Sequence, residues 1–307
     1  MSQSRSFPFA VIVISLLVAG ALLFAAVQRL SAEYSTTPKQ ASGASVALFE
    51  AAVEGDLKGI RAEIKRGADL NKAVQTPAGA MTPLMGAAAG HNDSVRILLE
   101  AKADPNARGG QNRTALFYAA GWGDADTVRA LLVKGAKVDA RTKDGMTALM
   151  MAGVRGENES VRSLIAEGAN INAKDKWGQT ALMFAVNSGD VEKIGALLEI
   201  GADVNAADNT GLTALMKAAE SAPEIEIEML NALVSAGADV NSADNDGVTV
   251  LMKAAERGDL DRVFLLLNAG ADSGATDNNG WTALQWTENR DDELGKEIAQ
   301  VLRDAKH

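Results

Sequence analysis

The 307-residue sequence contains no cysteine. That excludes a disulfide framework, a thiolate metal site and thiol nucleophilic chemistry, and it fits either side of a membrane. Histidine occurs only at positions 91 and 307, so no Ser/His/Asp or Cys/His set and no His-rich metal spacing can be assembled. Aromatic residues make up 4% of a chain that is 47% hydrophobic. Small and aliphatic side chains therefore carry the apolar content, which suits thin, closely packed helix pairs rather than one thick core. Positive charge is outweighed: Lys and Arg number 30 against 40 Asp and Glu. Setting aside Arg5, Arg29, Lys39 and Glu33 leaves 27 basic and 39 acidic residues beyond position 44, a net charge of −12. Nucleic acid and anionic lipid headgroups are disfavoured as partners of such a surface taken whole.

What the chain has in abundance is one motif, repeated. From Gly178 to Asn205 it reads GQTALMFAVNSGDVEKIGALLEIGADVN. Leu182 and Ala185 lie three apart, and Ile194, Leu197 and Leu198 follow at three and four, so each half carries one apolar helical face. Thr180 suits a helix N-cap, where its hydroxyl accepts from a first-turn amide. Gly201 suits the left-handed residue after a helix end. The unit reads as helix, tight turn, helix and an Asp/Asn/Gly-rich return. Its opening Thr recurs at Thr82, Thr114, Thr147, Thr180, Thr213, Thr249 and Thr282, in steps of 32, 33, 33, 33, 36 and 33 residues. The long step places three extra residues around Ser221-Ala222-Pro223, between the two helices of one unit. The short step removes one residue near Ala89-Gly90.

Thr82-Pro83-Leu84-Met85-Gly86-Ala87, its TAL(F/M)xA copies, and endings such as Gly201-Ala202-Asp203-Val204-Asn205 resemble the ankyrin-repeat family over residues 45–305. One copy keeps the Pro of the family signature and none keeps its His. The resemblance implies an all-α ankyrin-repeat solenoid of about eight helix-turn-helix units including both caps, with β-hairpin loop tips and units starting near 46, 80, 112, 145, 178, 211, 247 and 280. A single unit cannot fold alone: ordering 33 residues costs on the order of 50 kcal/mol, and only its neighbours bury its apolar faces. The unit at Val46, with Glu50, Lys58, Arg61, Lys65 and Arg66, reads as the N-terminal cap. A helix near Glu293–Asp304, with Leu294, Ile298, Val301 and Leu302 on one side, reads as the C-terminal cap.

Residues 1–44 stand outside the array. After a short tail (1–8), Phe9 to Val27 is a 19-residue stretch without a charge, roughly 28 Å of helix and about the thickness of a bilayer core. It reads as one N-terminal transmembrane helix, a single-pass anchor with the repeats on the exported, periplasmic or extracellular side. A cleaved signal peptide and hence a secreted protein is the alternative, as is a cytoplasm-facing scaffold on the same anchor. Arg5 on one flank and Arg29 and Lys39 on the other barely discriminate orientation. Residues 28–44 are small and polar, a flexible linker.

No catalytic residue, metal or cofactor is expected. His91 sits in the family's Gly-His turn, a structural position. A calcium loop counted back from Gly247 would begin at Ser242 and end at Lys253, where Asp and Glu are needed. Gly109-Gly110 lies in no strand-to-helix phosphate loop. Recognition remains, and no small-molecule substrate is evident. The resemblance implies that a partner protein meets the concave face through loop tips and the exposed ends of first helices. Carried over by position, these are Arg108, Gln111, Arg113, Arg141, Lys143, Met146, Lys174, Lys176, Trp177 and Gln179 at the tips, with Trp122, Val154, Arg155, Asn187 and Ser188 on the helices. Truncating a tip residue such as Met146 is then expected to cost under about 0.5 kcal/mol. Later copies hold Asn209-Thr210, Asn245-Asp246, Asn278-Asn279, Glu220, Glu256 and Arg257. The tips are thus basic and partly aromatic in the first half and polar to acidic in the second, which points to an acidic protein partner on the first half.

Overall fold

The Thr positions do the work that their hydroxyls allow. In a computed structural model that describes residues 43–220, 223–287 and 292–305, Thr82, Thr114, Thr147, Thr180, Thr213 and Thr249 each cap a helix, accepting from the amide three residues on. The residue offering that amide is Met in five of the six caps, in the place where the family signature has His. In three repeats its sulfur in turn accepts the Thr N–H. A thioether thereby supplies the second half of a capping box.

Among the described residues eight helix pairs result, running from Ala44–Glu54 with Leu57–Lys65 to Ala283–Thr287 with Glu293–Asp304. Second helices open on Asp56, Asp124, Asp190, Asp259 and Asp292, whose carboxylates accept first-turn amides. The pairs fall into two compact bodies, one running through Lys143 and the other from Asp144. The first holds three pairs and the second five. Within each body, first helices pack on the first helices of the adjacent repeats, and each pair packs internally. Leu84 and Leu116 in the first body and Leu149, Leu182, Leu215 and Leu251 in the second, each two residues past the capping Thr, are all 1% exposed.

Several details depart from expectation. The first helix starts at Ala44, so Val46 lies inside it rather than at its cap. The repeat shortened near Ala89-Gly90 has a first helix of only five residues, Pro83–Ala87, and Lys102 takes the left-handed conformation (φ 76°) that Gly adopts in the other repeats. The three-residue insertion lengthens the following helix to Pro223–Ser235, 13 residues against nine in most second helices. In the last helix Ile298 and Leu302 are buried, but Leu294 is exposed, because it sits in the first turn next to the capping Asp292. Strand pairing at the tips is sparse: among the described residues there is one hairpin, Val74–Thr76 with Gly79–Met81, and two isolated bridges, Ala207 with Thr213 and Ala243 with Thr249. Elsewhere side-chain carboxylates shape the tips. The expected anchor at 9–27, the tail before it and the linker to position 42 lie outside the described residues. Among the described residues, no helix is long and apolar enough to cross a membrane.

Candidate partner-binding surface

Four successive tips in the second body are each wound around an Asp. Asp175 Oδ1 accepts from the N–H groups of Trp177 (2.9 Å) and Gln179 (2.8 Å), while the Asp175 N–H donates to the Gln179 carbonyl at 3.0 Å. Asp208, Asp244 and Asp277 repeat the pattern on Thr210 and Leu212, Asp246 and Val248, Asn279 and Trp281. This Asx-type closure lifts the two residues after the Asp to the apex and turns the residue before the capping Thr back beneath it. Neighbouring apices are joined by backbone bonds: Lys176 N–H to the Asp144 carbonyl, Asn209 to Trp177, Asn245 to Thr210 and Asn278 to Asp246, all at 2.9–3.0 Å. Asn209, Asn245 and Asn278 each add a side-chain bond to the preceding tip.

That geometry sorts the expected contact residues. Lys143, Arg141 and Arg108 are exposed in the first body, and Lys174, Lys176 and Arg155 in the second. Met146 is only 4% exposed and Gln179 3%. Both precede a capping Thr, where the return of the loop drives the side chain into the stack, so neither is an apex residue. The cations also differ in freedom. Arg108 Nη1 bridges the Asn112 carbonyl (3.2 Å) and the Arg141 carbonyl (2.9 Å). Arg113 is half-buried, with its guanidinium 5.5 Å from the Phe117 ring centroid. Lys174 Nζ donates to the Ala207 carbonyl at 2.7 Å. Lys176 pairs with Asp144 and sits 4.2 Å from the Trp177 ring centroid. The half-buried Trp177 and Trp122 hold fixed orientations, Trp122 with its ring centroid 6.0 Å from that of Tyr118. Gly109-Gly110 packs directly on the first hairpin, since a Cβ on Gly109 would lie 2.4 Å from the Ala80 carbonyl oxygen.

A set of residues beneath the tips is invisible to a count of surface charges. Lys217 Nζ meets Asp208 Oδ2 at 2.7 Å, and Lys253 Nζ lies 2.6 Å from Glu220 and 3.8 Å from Asp244. Trp286 Nε1 donates to Asp277 Oδ2 at 3.2 Å. All three donors stand four residues past the opening Thr, and alignment of that column could have found them. Burial acts to raise the Asp208 carboxyl, but hydrogen bonds from Lys217 and Thr210 and the Lys217 charge hold it below the ordinary aspartate range.

The two bodies carry opposite charge. From Gly43 to Lys143 there are 14 basic and 11 acidic residues, and from Asp144 to His307 there are 13 and 28. The net values are +3 and −15. Of the basic residues expected at the surface, Arg108, Arg113, Arg141 and Lys143 belong to the positive body, and Arg155, Lys174 and Lys176 to the negative one.

Comparison with known proteins agrees with the repeat architecture. A family model described as ankyrin repeats (3 copies) matches residues 103–175, 149–244 and 222–305, and one described as ankyrin repeat matches residues 81–110. Among solved structures, the ankyrin repeat domain of Bcl-3, described as a unique member of the IkappaB protein family, is 28% identical with a TM-score of 0.64, covering 73% of this chain and 98% of that one. No curated protein sequence matches.

Proposed function

Because the chain belongs to the ankyrin-repeat family, we propose that it is a non-catalytic protein–protein interaction module that takes an acidic partner on the loop tips and first-helix ends of its first body. The observation that carries this reading is the charge split: the body of net +3 presents Arg141 and Lys143 at exposed positions, and the body of net −15 does not attract such a partner. Trp122 supplies an aromatic anchor of the kind that dominates interfaces, worth about 2 kcal/mol or more on truncation. Rim charges act mainly on the association rate. Lys174 and Lys176, tied into their own stack, contribute shape more than free charge.

The test begins with photo-crosslinkers at Lys143 and at Asn245 in the full-length chain and identification of what each captures. Arg141→Glu with Lys143→Glu should then slow association with the captured protein and remove its salt dependence. Asn209→Glu with Asn245→Glu and Asn278→Glu serves as the control. Normal binding by the first set with loss in the second would move the site to the second body.

The apolar stretch 9–27 supports a further part of this reading: it tethers the module to a membrane as a single pass, with the repeats exported. Full-length protein should stay with membranes through high-salt and alkaline washes, and a C-terminal reporter should register the exported side. Recovery of full-length chain in the soluble fraction counts against the tether. A mature N terminus beyond residue 27 would instead establish the secreted form.

A further inference from the structure

Among the tip carboxylates that shape the second body, Asp175 is the odd one. Its Oδ1 is used like the others, yet its Oδ2 is buried and makes no hydrogen bond, and the same holds for Gln179 Oε1 in the same tip. Asp175 is 7% exposed and Gln179 3%. In the next three repeats the corresponding Oδ2 meets a donor from the residue four past the capping Thr: Lys217, Lys253 and the indole of Trp286. Here that residue is Phe184, which has no donor to give. Two buried acceptors in one loop both lack a donor, and a buried polar atom left so destabilises the fold.

A proton on Oδ2 turns one of these two acceptors into a donor. We propose that Asp175 is a proton-operated latch: its protonated carboxyl donates from Oδ2 within the tip while Oδ1 goes on accepting the Trp177 and Gln179 amides, and loss of that proton to water loosens the loop that carries Lys176 and Trp177. The charged surroundings fit. Asp144 on the preceding tip is paired with Lys176, Asp208 on the following tip is paired with Lys217, and Lys174 donates to the Ala207 carbonyl, so each of these cations has a partner other than Asp175. Burial pushes the Asp175 carboxyl above the ordinary range, with Asp144 and Asp208 adding to it against the two backbone N–H bonds. A carboxyl that binds its proton more tightly folded than unfolded loses stabilisation as pH rises from the unfolded value, about 3.9, through the folded one. This is the reverse of the neighbouring Asp208.

The decisive measurement is the titration of the Asp175 side-chain carboxyl carbon by NMR in the full-length chain, assigned with Asp175→Asn. The expected midpoint lies above about 3.9, and a midpoint at or below that value overturns the proposal. Stability provides a second readout. Asp175→Asn keeps the Oδ1 acceptor and adds a permanent Nδ2 donor, so its Tm should match the parent in acid and exceed it increasingly as pH rises. A Tm difference that is the same at every pH, or a loss that grows with pH, shows that Asp175 serves as a carboxylate and sinks the latch.

Discussion

Lys217 Nζ lies 2.7 Å from Asp208 Oδ2, and the two side chains keep only 4% and 6% of their surface exposed. A pair this dry adds little net stability over an apolar pair of the same shape, but breaking it strands a charge. Lys217→Met alone should therefore cost about 3–5 kcal/mol at neutral pH, read by urea denaturation. Adding Asp208→Asn should recover much of the loss. Equal cost in single and double variants would show that the lysine acts through packing alone.

The same pair sets one limb of the pH dependence. Asp208 is held below the ordinary aspartate range, so the stabilisation it gives is complete above its unfolded pKa and is lost as pH falls through the folded value. Asp190, lowered in spite of burial by its bonds from Lys193, adds to the same acid limb. Thermal scans across acidic pH should show Asp208→Asn with a flatter acid limb than the parent.

Met146 provides the plainest test of which loop residues face inward. At 4% exposure its truncation to Ala should cost about 2–5 kcal/mol, comparable to Leu182→Ala. Lys143→Ala, three positions earlier at the apex, should stay within about 0.5 kcal/mol. Chemical denaturation of the three variants decides it, and a silent Met146→Ala would return that residue to the surface.

The contrast between those two positions marks how far the sequence could be read. The repeats, their capping Thr residues and the place of the insertion follow from a 33-residue period and an apolar face, because helix stacking has to recur wherever the period does. The tips are harder. Met146 and Gln179 look like loop residues on spacing alone; the closure around Asp175 shows that its loop folds back one residue before the Thr, and the burial of Met146 shows the same at the equivalent position. The same closure hides the Lys217–Asp208 pair, whose members are nine residues apart and look like ordinary surface charges. Whether a basic residue is free also escapes the sequence: Lys174 and Lys176 read like Lys143, yet each is spent on a neighbouring tip.

Two glycines separate backbone preference from contact between repeats. Gly201 and Gly211 both have positive φ, 96° and 85°. A Cβ on Gly201 meets nothing within 4 Å, whereas one on Gly211 would lie 2.7 Å from the Asn245 backbone nitrogen of the next tip. Gly201→Ala should cost about 1–2 kcal/mol from the left-handed conformation alone. Gly211→Ala should cost distinctly more, with the excess measuring the fit of tip on tip. Matching losses would mean the tips adjust freely.

On the far edge of the second body Asn205 links one repeat to the next, donating to the Gly237 carbonyl at 3.1 Å and accepting from the Asp239 N–H at 2.8 Å. Asn205→Ala removes both bonds and should cost roughly 1–3 kcal/mol, at about 0.5–1.5 each. Hydrogen exchange at the Asp239 amide should rise with it, and unchanged protection there would show that the bond does not hold the junction.

Asn172 and Asn241 make ties of the same kind to Asp203 and to Gly270 with Asp272, and every one of them spans a single junction. Tension along the chain is accordingly carried by one junction at a time. When a junction yields, a repeat of 33 residues pays out at most about 120 Å of extended chain. Pulled from its two ends, the second body should lengthen in discrete steps, each leaving the next junction intact. The second body is expected to act as a strap that gives in increments, so that a load on its far end is taken up one repeat at a time.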